Sequence, residues 1–120
     1  MNYNIKYSDI FNATKLETGI VILKLKSPYI SLEETQVFLE AITLFVNEGH
    51  KNFIFDLSET NYLDSITLTL LVEKINEIDS IDGSVSLVVT ETKPRLKYSV
   101  GNPLAKLQVY LNVENAVNNF

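Results

Sequence analysis

An acid and a hydroxyl stand side by side in Asn61-Tyr62-Leu63-Asp64-Ser65-Ile66-Thr67-Leu68, where a short apolar run gives way to a segment of helical spacing. Three chemistries fit such a pair: a nucleophile with its acid, a helix cap, or a hydroxyl on which another protein acts. A serine nucleophile needs a general base in hydrogen-bond reach and donors for an oxyanion. The single histidine, His50, follows Gly49, and nothing in its spacing brings it to Ser65; beside a helix C-terminus it reads as a solvent-exposed side chain. Nor does Ser65 stand in a G-x-S-x-G elbow. A serine hydrolase is discounted.

Asp56, Glu59 and Asp64 cluster around the end of the same apolar run, yet no spacing among them singles out a glycosidase pair or a metal site. A carboxylate-rich Mg²⁺ pocket would also want an early acidic pair and a late lysine at strand ends, and neither is matched. With four glycines in the chain and no G-x-G-x-x-G or G-x-x-x-x-G-K-[ST] run, a phosphate-cradling loop has no visible machinery. The lack of cysteine removes thiolate nucleophiles, disulfide frameworks and Cys-ligated zinc. No catalytic residue, metal or cofactor is expected. For Asp64-Ser65 a simple reading is helix capping, in which a side-chain oxygen accepts an orphan N–H of the first turn.

The formal charge of −5 is unevenly spread. Residues 33 to 91 hold twelve acids against Lys51 and Lys74, a net of −10, whereas the rest holds Asp9, Glu17 and Glu114 against eight bases, a net of +5. An acidic middle speaks against a nucleic-acid partner, which would need clustered Lys and Arg; its plainest use is a solvated surface. At 120 residues, 46% hydrophobic and 21% charged, the chain suits one soluble globular domain over 1–120. No apolar run approaches the length of a membrane span, and "MNYNIKYSDIF" lacks the apolar run of a signal peptide. The expected location is the cytoplasm, with no membrane insertion.

The elements that must position the pair follow from periodicity. Residues 3–7 and 19–25 are β-branched-rich strands expected to pair as a hairpin or meander. In "SLEETQVFLEAITLFVNEG", Ser31 with Glu34 makes a capping box, Gly49 suits the residue after a helix, and Thr35, Phe38, Leu39, Ile42, Phe45 and Val46 recur at helical spacing. "NFIFDL" at 52–57 reads as an interior parallel strand. A second helix over 67–78 buries Leu68, Leu71, Val72, Ile75 and Ile78, with Glu73, Lys74 and Glu77 on its other side. "SVSLVVT" at 84–90 is another buried strand, Pro94 opens a short helix ending near Val100-Gly101, "LQVYL" is a last strand, and Asn112 caps a final helix. The order β-β-α-β-α-β-α-β-α makes an α/β fold: a central mixed sheet of four to five strands, with about four helices packed mainly on one face.

This layout and its central motif resemble the STAS family, the domain of bacterial anti-sigma factor antagonists, stressosome proteins and the cytoplasmic ends of sulphate transporters. "FIFDLSETNYLDSITLTLLVEKI" resembles that family's strand, "DLS" turn and Asp-Ser opening of the second helix; "GSVSLVV", the Pro94 segment and "NVENAV" carry the likeness onward. In phosphorylatable members the hydroxyl residue directly after that aspartate is modified by a serine kinase that doubles as the anti-sigma factor. By position this implies Ser65 as the phosphorylation site, with Asp64, Ser65, Ile66, Thr67, Glu59 and Asn61 as the partner-binding surface. The implied function is a non-catalytic interaction switch that binds its anti-sigma factor/serine kinase when unphosphorylated and is released on phosphorylation. A PP2C-type phosphatase and a weak homodimer complete the expected partners. The alternative left open is a constitutive STAS scaffold or accessory subunit, in which Ser65 only caps the helix.

Overall fold

The computed structural model describes residues 3–6, 11–60, 65–89 and 108–120. Six strands form one sheet in sequence order: β1 (Tyr3–Lys6), β2 (Phe11–Lys15), β3 (Val21–Leu25), β4 (Asn52–Asp56), β5 (Ser84–Val88) and β6 (Gln108–Tyr110). The pairs β1–β2 and β2–β3 are antiparallel, and the pairs from β3 to β6 are parallel. Three helices lie among the described residues: α1 (Leu32–Asn47) between β3 and β4, α2 (Ser65–Ser80) between β4 and β5, and α3 (Val113–Asn118) after β6. The expected helix at Pro94 falls outside the described residues. No described helix is long and apolar enough to cross a membrane.

The α/β class and mixed sheet are as expected, but residues 3–7 and 19–25 do not pair with each other. Phe11–Lys15 lies between them, with Phe11 opposite Leu25 and Ala13 opposite Leu23. Asn, Ala and Lys are poor strand formers, which hides "FNATK" from a propensity reading. Its period-2 alternation nevertheless buries Phe11 and Ala13 completely. Among the described residues the sheet therefore has six strands where four to five are expected.

Helix α1 begins and ends as its sequence dictates. The Ser31 hydroxyl accepts from Glu34 N at 3.1 Å and Glu34 Oε1 accepts from Ser31 N at 3.0 Å, closing the capping box. At the other end Gly49, at φ +101°, sends its N–H to Val46 O while His50 N–H reaches Phe45 O, a Schellman turn. The inward stripe of α1 sets Phe38 edge-on to Phe11 and Phe55, at centroid distances of 5.4 and 5.6 Å. Helix α2 runs two residues beyond the expected 67–78 at each end and buries Thr67, Leu71 and Ile78. Helix α3, capped by Asn112 through Asn115 N–H at 2.8 Å, covers the opposite sheet face, where Ala116 meets Ile20, Ile54 and Val88.

The turn from α2 into β5 is closed tightly at Gly83. Its N–H donates to Ile78 O at 2.9 Å, and Ser84 N–H donates to Lys51 O at 2.9 Å. A methyl group at Gly83 would run into the Lys51 carbonyl and stand 2.8 Å from Ile78 O. The Ile78 Cγ2 methyl stands 2.5 Å away as well, and the two carbonyls are backbone that cannot swing aside, so Gly83→Ala is expected to lose about 1–3 kcal/mol of stability. Urea denaturation checks this, and an unchanged midpoint would contradict it.

Candidate functional site

The segment that carries Ser65 leaves β4 at Asp56, whose Oδ1 accepts from Ser58 N at 3.0 Å. Leu57 N–H donates to Val88 O at 2.8 Å, extending the pairing with β5 by one step, and Thr60 N–H turns back to Leu57 O. The Thr60 hydroxyl is buried without a hydrogen-bond partner among the described residues. Asn61 and Asp64 lie outside the described residues. Helix α2 then starts at Ser65.

Ser65 and Ile66 are exposed, Ile66 at 59%, whereas Thr67 is at 2%. This corrects the expectation that Thr67 belongs to the partner surface: its hydroxyl faces inward and meets Thr35 Oγ1 at 3.1 Å. Thr35 gives its one hydroxyl hydrogen to Ser31 O at 2.9 Å, so Thr67 is the donor of the pair. A chain of two hydrogen bonds thus ties the first turn of α2 to the residue that caps α1. Thr67 is in this sense a positioning residue for the exposed pair beside it. Thr67→Val is expected to lower stability by about 1 kcal/mol through loss of that buried bond. A chemical denaturation curve that does not move would refute the assignment.

Glu59 is exposed at half its side chain but is not a free acid. Lys24, at the end of β3, pairs with it at 2.8 Å. The Glu59 hydrogen bond holds the Lys24 ammonium above the ordinary lysine range, with partial burial opposing and the charges of Glu59 and Asp56 adding to it. Nothing local in the sequence points to this pair, because its members are 35 positions apart. From Ser65 onward the first turn of α2 carries no acidic residue, and Ser65 stands at the end of the helix where its N–H dipoles point outward.

His50 is half-buried rather than solvent-exposed, with its ring edge-on to Phe45 at 5.8 Å and Nδ1 3.5 Å from Gly19 O. It follows the last turn of α1, while Ser65 adjoins the first. The 16 residues of α1 span roughly 24 Å, so His50 is no base for Ser65. Among the described residues no group of three His, Cys, Asp or Glu is placed to hold a metal ion.

The sequence model of the STAS domain matches residues 13–116. No curated protein matches the chain in sequence. Among solved structures, a candidate anti-sigma factor antagonist of Thermotoga maritima, TM1081, superposes with a TM-score of 0.75 at 22% identity, over 91% of this chain and 92% of that one. An anti-sigma factor antagonist of Mycobacterium paratuberculosis gives 0.73 at 14% identity, over 99% and 93%. The phosphorylated form of the Bacillus cell fate determinant SpoIIAA gives 0.66 at 12% identity, over 99% and 98%.

Proposed function

We infer that this chain, which belongs to the STAS domain family, is a non-catalytic protein-interaction switch controlled by phosphorylation at Ser65. The observation that carries the reading is the contrast at the start of α2: Ser65 and Ile66 exposed, Thr67 buried and bonded to Thr35. A hydroxyl presented on an anchored helix end is accessible to a kinase without local unfolding. The N-terminal dipole tolerates a phosphate of about −1.5 to −2 charge there. Ser65 and Ile66, with Glu59, Asn61 and Asp64 of the segment that precedes them in sequence, form the proposed contact surface for an anti-sigma factor that is also a serine kinase. Burial removes Thr67 from that surface.

In the unmodified state Ser65 and Ile66 give that surface a small hydroxyl and an apolar side chain, which add no charge of their own to it. Phosphate in the same place repels acids on the partner and must be desolvated in the docked interface, so modification releases the complex. A PP2C-type phosphatase would restore binding. The test is incubation with ATP and the serine kinase encoded nearest the gene, followed by intact mass and peptide mapping. One phosphoryl group on the peptide containing Ser65 is expected. An unmodified Ser65, under conditions where the kinase modifies its known target, overturns the switch.

A second reading, a constitutive scaffold, draws on Ser65 occupying the first turn of α2 with its carbonyl accepting from the Thr69 hydroxyl at 2.8 Å. In that case Ser65 serves the helix alone, and its modification state leaves partner affinity unchanged.

A further inference from the structure

Helices α1 and α2 run side by side in the same direction: Thr35 meets Thr67 near their starts, and Lys74 Nζ reaches Thr43 Oγ1 at 2.9 Å further along. Between them, on the side away from the sheet, lies an open groove of about 970 Å³. Leu39, Leu44 and Leu70 supply its apolar surface, and Leu44 is 56% exposed. Carboxylates border both sides, Glu40 from α1 and Glu73 and Glu77 from α2. Among the described residues of the lining the one cation, Lys74, is engaged by Glu77 at 2.8 Å as well as by Thr43.

We propose that this groove is a second docking surface, which takes an amphipathic helix of a partner protein carrying leucine-like residues on one face and Lys or Arg along both flanks. The reading goes beyond the switch at Ser65, because Glu73, Lys74 and Glu77 lie about two turns or more along α2 from the proposed contact, with Leu70 alone one turn from Ile66 on that helix. Its shape fits a helix laid along it. From Gln36 to Leu44 the wall spans roughly 12 Å, two turns of a partner helix, enough for anchors at i, i+3 or i+4, and i+7. Its charge selects the flanks: two acidic borders attract a basic helix and reject an acidic one. The same charge excludes the other occupants. A second copy related by a twofold axis would lay Glu40, Glu73 and Glu77 against themselves, and anionic lipid or nucleic acid would meet carboxylates.

The probe is a synthetic helical peptide with leucines at i, i+3, i+4 and i+7 and lysines on both flanks, titrated into the full chain and followed by backbone amide NMR shifts and fluorescence anisotropy. Shifts are expected at Gln36–Leu44 and Leu70–Glu77. Replacing the peptide lysines by glutamates, or making the double change Glu40→Lys and Glu73→Lys in the protein, should weaken binding at least about tenfold. Acidic peptide combined with the doubly changed protein should bind again. Leu44→Ser, at an exposed position, should weaken binding at least about fivefold through lost apolar contact. Equal binding of a scrambled peptide of the same composition, shifts confined to other surfaces, or charge reversal without effect would overturn the proposal. So would capture by phosphatidylglycerol vesicles, or self-association through this face.

Discussion

Ser65→Glu is expected to weaken binding to the anti-sigma factor partner by roughly 100-fold, while Ser65→Ala stays within about twofold of the unchanged protein. A like charge placed in a docked interface costs several kcal/mol when it is poorly paired, and 100-fold corresponds to about 2.7 kcal/mol. Alanine keeps the site small and uncharged. It forfeits a hydroxyl whose hydrogen bonds water replaces in the free protein. Neither change should alter the fold, because Ser65 is exposed and the first turn of α2 is held from below by Thr67 and Thr35. Isothermal titration against the purified partner reads both affinities. Equal values for the two variants would favour the constitutive scaffold.

Phe38→Ala is expected to lower stability by about 3–5 kcal/mol, as truncation of a buried aromatic does. Phe38 is 1% exposed and meets both Phe11 and Phe55 edge-on, so one deletion empties the contact between α1, the antiparallel strand β2 and the parallel strand β4. Native domains hold only about 5–15 kcal/mol in total. Urea denaturation should therefore show a much lower midpoint, and a loss under about 1 kcal/mol would mean that α1 does not pack as described. The consequence reaches the site. Thr35, one turn before Phe38, accepts the hydrogen bond that anchors Thr67, and a loosened α1 would release the start of α2 with it.

The sequence announces α1 almost completely, since both of its ends carry local chemistry: Ser31 with Glu34, and Gly49 after the last turn. The strand at Phe11–Lys15 is quieter, because its inward residues are only two and its outward ones are poor strand formers. Thr67 is instructive for a different reason. The buried positions Thr67, Leu71 and Ile78 share one helical stripe, so the period of α2 already places position 67 inward. Its hydroxyl draws the eye to the surface, and only Thr35 on another helix gives that hydroxyl a partner. The Lys24–Glu59 pair likewise needs the parallel register of β3 and β4, which sets Lys24 beside Asp56. Contacts made across the sheet leave no trace in local spacing. The acidic groove is similar: Glu40, Glu73 and Glu77 read as solvated helix faces until the two helices are laid side by side.

If the proposed switch operates, one reversible modification at Ser65 sets partner affinity. Its most direct measurement is a cycle in one preparation: phosphoserine installed at position 65, titration with the purified anti-sigma factor partner, treatment with a PP2C-type phosphatase, and titration again. Binding is expected to be weakened by roughly 100-fold in the modified protein and fully restored after dephosphorylation. Equal affinities before and after treatment, or tighter binding by the modified form, would contradict the switch.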